Sequence, residues 1–532
     1  MDHHAENVLI AGEWRPADAS STFQAINPDT GETLPHVYPV SSRADVDAAL
    51  CAGAAAASVL AAAEPERIAA FLDGYAHRID AAKDEIAAAA NLETALPVSP
   101  RLADIELPRT TDQLRQAAAA VRTGGWKRPT IDTANNIRSM LGPLGGPVAV
   151  FGPNNFPLAF NGASGGDFAA AIAAGNPVIA KAHSSHPRTT QLLTEVAVPA
   201  LQETGLPAAT VQMIYRLAHE DGAYLVAHPL VAATGYTGAR AAGLVLKEAA
   251  DRAGKPIYLE LSSINPVFVL PGALRQRRQA LAEEFLGSAL LGAGQFCTNP
   301  GVVVVQAGDD AELFVEDLRE GFERSGIGAL LGAGGVRGLD AAVDALQAAG
   351  ATLLTGGEAI EGRGCRFQNT LLRTDGKAFL ANPEGMQTEA FGNSNLIIVA
   401  ADASEMEQIA ENLEGNLTGC IYSHTGNNDD ALYERIAIPL RRRVGRLLND
   451  KMPTGVAVTA AMNHGGPYPA TGHPGFTAVG IPAALARFAM LECYDNVRQH
   501  RLPSLLRDAN PETVWRCIDE EWTRASVGAP PA

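Results

Sequence analysis

Cys297 stands in Gly294-Gln295-Phe296-Cys297-Thr298, a thiol where an apolar Ala/Leu/Gly helical run gives way to a turn. A free cysteine commonly acts as a small buried hydrophobe; beside a suitable base it is a nucleophile. Elsewhere the chain carries the residue types such a nucleophile needs. Glu260, in Tyr258-Leu259-Glu260-Leu261-Ser262, is an acid inside an apolar strand-like run. Burial there would raise its pKa toward general-base work, although an acid on the solvated face of an edge strand reads the same way. Asn155 lies in the turn Phe151-Gly152-Pro153-Asn154-Asn155-Phe156-Pro157. It is either a structural turn residue or an amide donor to a developing oxyanion.

Three features suit a phosphate- and sugar-bearing ligand. Lys181 directly follows the strand-like Pro177-Val178-Ile179-Ala180, as a surface lysine or as a donor to a ribose hydroxyl at the carboxyl edge of a sheet. Gly235-Tyr236-Thr237-Gly238, with Gly243 five residues on, falls where a strand passes into a helix; glycines there let backbone approach phosphates at a helix N-terminus, but G-x-G-x-x-G spacing is absent. Two other motifs compete. Gly162-Ala163-Ser164-Gly165-Gly166 matches the G-x-S-x-G elbow of serine hydrolases, which requires a strand running into Ser164. His183 and His186 are three apart, yet lack the third ligand of a metal site.

The elements that must position these residues alternate. Ala-rich helical patterns cover about residues 44–122, broken at Pro97 and Pro100, and a glycine- and proline-punctuated segment of short strands follows. Strand-like runs at 147–151, 177–180 and 231–236 are then separated by helical stretches, and a second block carries 302–305, a helix over 309–324 and a strand over 395–399. This is the pattern of an α/β fold with parallel sheets. Residues 1–123 and 147–262 are expected to form a Rossmann-like cofactor-binding domain and 263–455 an α/β catalytic domain; 124–146 and about 485–532 would supply a small β segment for oligomerisation.

At 532 residues the chain is long enough for two or three cores. Six widely spaced cysteines without a C-x-x-C pair fit a reducing compartment, hence a cytoplasmic location. The start Met1-Asp2-His3-His4 has no basic region leading into an apolar stretch, and no apolar run reaching the roughly 18 residues of a membrane span is expected. A net charge of −18 disfavours nucleic acid and anionic lipid as partners, and Arg441-Arg442-Arg443 reads as a solvated helix end. The short Gly528–Ala532 end is the only low-complexity tail.

In their order along the chain these motifs resemble the aldehyde dehydrogenase superfamily: Asn155 in Asn-Phe-Pro, Lys181, Gly238 and Gly243, Glu260 in Glu-Leu, Cys297 in Gly-Gln-x-Cys, and Glu389 in Glu-x-Phe-Gly. Residues 155–160, 181–187 and His464-Gly465-Gly466-Pro467-Tyr468-Pro469-Ala470-Thr471 are most similar to an NADP-accepting branch. That branch contains 2,5-dioxopentanoate (α-ketoglutarate semialdehyde) and bacterial long-chain aldehyde dehydrogenases. The resemblance implies Cys297 as nucleophile, the Asn155 amide and Cys297 N–H as oxyanion donors, and Glu260 as the base that releases the acid. Lys181 and Glu389 would hold the cofactor's riboses, with Gly238 and Gly243 making room for its pyrophosphate. Ser184 stands where NAD-selective relatives carry an acid, so NADP is the expected cofactor with NAD also tolerated, and Arg216 is a candidate partner for the 2′-phosphate. A small aldehyde substrate, no resident metal and a homodimer or homotetramer are implied. Three positions depart from the family pattern: Ala239 for a serine, Ser262-Ser263 for a Gly-Gly pair, and Asn393 for a proline whose loss should leave its loop less restrained.

Overall fold

The computed structural model describes residues 4–362 and 364–528; Met1–His3 and Ala529–Ala532 of the two terminal segments read above lie outside it. Five parallel strands build the centre of the first sheet in the order Ile257–Glu260, Ala233–Thr237, Val148–Phe151, Val178–Lys181, Val211–Ile214, and the antiparallel Val8–Ile10 and Glu13–Arg15 extend it. The central strands are apolar along their length because helices cover both faces. From Val148–Phe151 the chain winds outward in one direction, then returns to add Ala233–Thr237 on the other side. A crevice opens at such a reversal, beyond the carboxyl ends of the strands. Phe151, Lys181, Thr237 and Glu260 are those ends.

A second seven-stranded sheet runs Thr352–Thr355, Thr370–Asp375, Ser394–Ala400, Val302–Gln306, Val267–Val269, Asn416–Tyr422, Val444–Asn449, parallel except at its first strand. The helix read over 309–324 is Asp309–Arg324. Thr130–Asp132 and Ile137–Pro143 join Ala489–Asp495, Arg516–Ile518 and Glu521–Thr523 in a separate five-stranded sheet, so the short strands and the distant C-terminal segment come together. Arg441, Arg442 and Arg443 form the last turn of the helix Asp430–Arg443.

The N-terminal helices are Arg43–Ala61, Pro65–Ala81, Lys83–Thr94 and Leu107–Thr123. Contrary to the sequence expectation, one of them, Arg43–Ala61, is long and apolar enough to cross a membrane by length and composition. It is a core helix, and it buries Val46, Ala49, Leu50, Ala57 and Leu60 against the first sheet. At Pro97 and Pro100 the regular helix gives way to a wide π-type turn, Val98–Glu106, with Ser99 non-helical. That turn brings Arg101 and Glu106 together as a buried ion pair, which the sequence pattern did not reveal.

Candidate active site

The turn after Val148–Phe151 is pinned from several sides. Glu106 Oε1 accepts from the backbone N–H of Leu158 and Ala159 at 2.8 and 2.9 Å. Arg101 Nη2 donates to the Asn155 carbonyl at 3.0 Å, and His186 Nε2 lies 2.9 Å from the Pro153 carbonyl oxygen. His183 and His186 stack at 5.2 Å between ring centroids; they tie this turn to the Lys181 segment. Asn155 is buried, and its Nδ2 donates to the Gln295 carbonyl at 3.0 Å.

Cys297 lies in a loop beyond the helix Pro271–Ala289. Asn265, at φ 45°, holds that loop by donating from Nδ2 to the carbonyls of Cys297 and Asn299 at 2.9 and 2.8 Å. Gly294, at φ 69°, lets the loop touch its neighbour directly: an added Cβ would fall 2.0 Å from the carbonyl oxygen of Gly392, in the segment carrying Glu389. Gly292 and Gly294 both take positive φ, a conformation open to glycine without strain.

The side chain that joins the Cys297 thiol and the Glu260 carboxylate is His464, a residue the sequence reading quoted only as part of a motif. Residues 470–472 add to the edge of the Glu260 strand through Leu261 N–H to Ala470 and Gly472 N–H to Leu259, at 2.8 and 3.0 Å. His464 is thereby buried with Nε2 2.8 Å from Glu260 Oε1 and 3.4 Å from Cys297 Sγ. The ligand atoms of all three lie within 4.8 Å of one another. Burial pushes the Cys297 thiol well above its ordinary pKa, the Glu260 carboxylate pushes the same way, and the Arg109 guanidinium pulls it back.

Two adjoining cavities, of about 410 and 720 Å³, share Pro153, Asn154, Thr237, Gly238, Ala239 and Ala241 in their walls and so form one cleft. Asn155, Glu260, Cys297 and Glu389 line its inner part; Lys181, Ser184 and Arg216 line its outer part; Gly238 belongs to both. The helix Arg240–Arg252 begins in this wall with no side-chain cap on its first N–H groups, a suitable seat for a pyrophosphate. Burial, with the Arg216 charge nearby, brings the Lys181 ammonium down to about 8. Burial raises the Glu389 carboxyl, whose Oε1 accepts from Ser263 N–H at 3.0 Å. The glycine wall, the uncapped helix end and the polar groups along the cleft fit a dinucleotide.

Three expectations change. Gly243 is buried away from the cleft wall, and a Cβ there would meet Leu261 Cδ2 at 2.5 Å and Tyr236 Cε1 at 2.9 Å; it serves helix-to-strand packing. Asn393 does not loosen its loop: buried, it donates from Nδ2 to the Phe367 carbonyl and to Asn369 Oδ1, both at 2.8 Å. Ser164 is buried with its hydroxyl donating to the Leu158 carbonyl at 2.8 Å, and turns rather than a strand precede it, so it is no nucleophile elbow. Of the other departures, Ser263 Oγ donates to Asn265 Oδ1 at 2.8 Å, so the serine helps order the residue that grips the Cys297 loop.

Residues 14–466 match the model of the aldehyde dehydrogenase family. The chain is 38% identical to alpha-ketoglutaric semialdehyde dehydrogenase 2 of Azospirillum brasilense, over 96% of this chain and 98% of that protein. It is 34% identical to alpha-ketoglutaric semialdehyde dehydrogenase of Acinetobacter baylyi, over 98% and 99%. The fold matches that of a mutant aldehyde dehydrogenase C from Pseudomonas syringae, crystallised with NAD+ and octanal, with a TM-score of 0.78 at 20% identity, over 93% of this chain and 97% of that one. Cleft, thiol and full-length likeness agree: this chain belongs to the aldehyde dehydrogenase family and is an NAD(P)-dependent aldehyde dehydrogenase.

Proposed function

We propose that the chain oxidises 2,5-dioxopentanoate, or a closely related semialdehyde, to the acid with NADP+ as the preferred cofactor. The observation that carries the chemistry is His464 Nε2 standing between Cys297 Sγ and Glu260 Oε1 at 3.4 and 2.8 Å; the substrate rests on the two full-length relatives. Cys297 gives its proton to the Glu260–His464 pair and attacks the aldehyde carbon. The second N–H of the Asn155 amide and the Cys297 N–H receive the oxyanion. A bound nicotinamide would supply the hydride acceptor, and loss of hydride from that carbon would leave a thioester on Cys297. Glu260, whose Oε2 has no partner among the described residues, takes the proton of the water that cleaves the thioester.

Lys181 and Glu389 would hydrogen-bond the two riboses. Ser184 would leave room for a 2′-phosphate that an acid would repel, and Arg216, which lines the same part of the cleft, would pair with it. The three sheets would act as cofactor-binding, catalytic and subunit-contact modules; Ala489–Asp495, an edge strand exposing Met490 and Leu491, would build a homodimer or homotetramer. Six unpaired cysteines fit the cytoplasm.

A second reading, oxidation of medium- or long-chain aliphatic aldehydes, is favoured by the apolar cluster of Phe156, Phe160, Phe296 and Phe476 beside Cys297. A panel of 2,5-dioxopentanoate, pentanal and dodecanal with NADP+ and NAD+ tests both. The highest kcat/KM is expected for 2,5-dioxopentanoate with NADP+. A larger value for dodecanal would establish the second reading instead.

A further inference from the structure

Four arginines surround the phenylalanine cluster beside the thiol, and three are already engaged. Arg101 is held by Glu106 and the Asn155 carbonyl, Arg446 by the carbonyls of Pro453 and Gly455, and Arg487 by Asp167 and the Ala484 carbonyl. Arg109, in the first turn of the helix Leu107–Thr123, makes no hydrogen bond or ion pair among the described residues, and its Nε and Nη2 are buried without a partner. The acid nearest in sequence, Glu106, is spent on Arg101 and on the N–H groups of Leu158 and Ala159. A guanidinium cannot shed its proton, and on the half-buried Arg109 two of the three nitrogens are buried without a partner, which costs free energy unless a ligand pairs with them.

The position of this charge relates it to the reacting centre. Its Cζ lies 5.1 Å from the Phe160 ring centroid and 5.6 Å from that of Phe156. The Phe160 ring is 5.7 Å from His464, which touches Cys297. One aromatic ring thus separates guanidinium and relay. In an extended five-carbon chain about 5 Å separates the aldehyde carbon from a terminal carboxylate, enough to span that ring.

We propose that Arg109 receives the remote carboxylate of an ω-oxo acid substrate, pairing with it through its unengaged donors while the aldehyde end meets Cys297. The inference rests on the semialdehyde reading above and names the residue that selects for it. The phenylalanines sheath the methylenes between the two polar ends, and a neutral aldehyde would leave the guanidinium unpaired in the complex.

The test compares 5-oxopentanoate with pentanal, which lacks only the charged end, in wild type, Arg109→Gln and Arg109→Lys. Wild type is expected to favour 5-oxopentanoate by about 10²-fold in kcat/KM. Arg109→Gln should lose about 10- to 100-fold more on that substrate than on pentanal, the difference lying mainly in KM, because loss of the guanidinium's pull on the Cys297 thiol falls on both aldehydes alike; Arg109→Lys should fall between. Inhibition by 2-oxoglutarate should weaken in parallel. Equal losses on both aldehydes would give Arg109 a purely structural or thiol-tuning role and overturn the proposal, as would a preference for 5-oxopentanoate undiminished in Arg109→Gln. A wild type that does not distinguish the two aldehydes would instead sink the semialdehyde reading itself.

Discussion

Asn155 Nδ2 donates to the carbonyl of Gln295 at 3.0 Å, so the amide proposed to hold the oxyanion is tethered two residues before the nucleophile. One of its two N–H bonds sets the orientation and leaves the other for substrate. Asn155→Ala is expected to lower kcat by about 10²–10³, with the iodoacetamide reactivity of Cys297 unchanged. An unaltered kcat would remove the assignment.

The thiol is raised first by burial and then by Glu260. Its rate of alkylation should therefore keep climbing with pH above 9, the ordinary thiol value. Glu260→Gln deletes a negative neighbour, so the alkylation profile should move to lower pH. The same variant should show an NADPH burst followed by slow turnover. A profile moving to higher pH, or burst and steady state lost together, would contradict the roles given to Glu260.

Cys297→Ala should abolish aldehyde oxidation and leave cofactor binding intact, as read by quenching of intrinsic fluorescence. Turnover in this variant would refute the mechanism.

At the outer end of the cleft, Ser184→Glu is expected to raise the NAD+ to NADP+ ratio of kcat/KM by about ten-fold or more, because a carboxylate repels a 2′-phosphate. Lys181, brought down to about 8, is ammonium below that pH and amine above it. An anionic cofactor favours the ammonium, so its Kd should be lowest below pH 8 and rise above it, while Lys181→Met should flatten the dependence. A wild-type Kd that stays constant from pH 7 to 9.5 would sink the lysine's part.

Gly294→Ala should destabilise the protein by about 3 kcal/mol or more, since positive φ and backbone collision add. Gly287→Ala, inside the helix Pro271–Ala289 with nothing near an added Cβ, should be neutral or stabilising. Thermal melts of the two variants check the contrast.

Residues at strand ends were legible because apolar runs broken by glycine and proline mark where parallel strands stop; Lys181 and Glu260 are such stops, and Gly238 directly follows another, Thr237. His464 was not. It meets Glu260 across 204 residues of sequence by way of a late segment with little regular secondary structure. Asn265 and Arg109 were hidden for a related reason, since nothing in their neighbours announces what a side chain will find across the fold. Gly243 misled because a glycine needed for packing and one needed for a ligand look alike in sequence. Asn393 misled because losing proline's rigidity was weighed without the two hydrogen bonds its amide gains.

The backbone contact between Gly294 and Gly392 divides the enzyme unevenly for change. At that seam the loop bearing the sulfur and the loop bearing Glu389 have no side chain between them to absorb a shift, so on the proposed assignment retuning the nicotinamide end would carry a penalty at the reacting centre. On the proposed assignment the adenosine end would lie around Ser184 and Arg216, in the outer part of the cleft. If so, exchanging one nucleotide for the other there should leave acylation undisturbed.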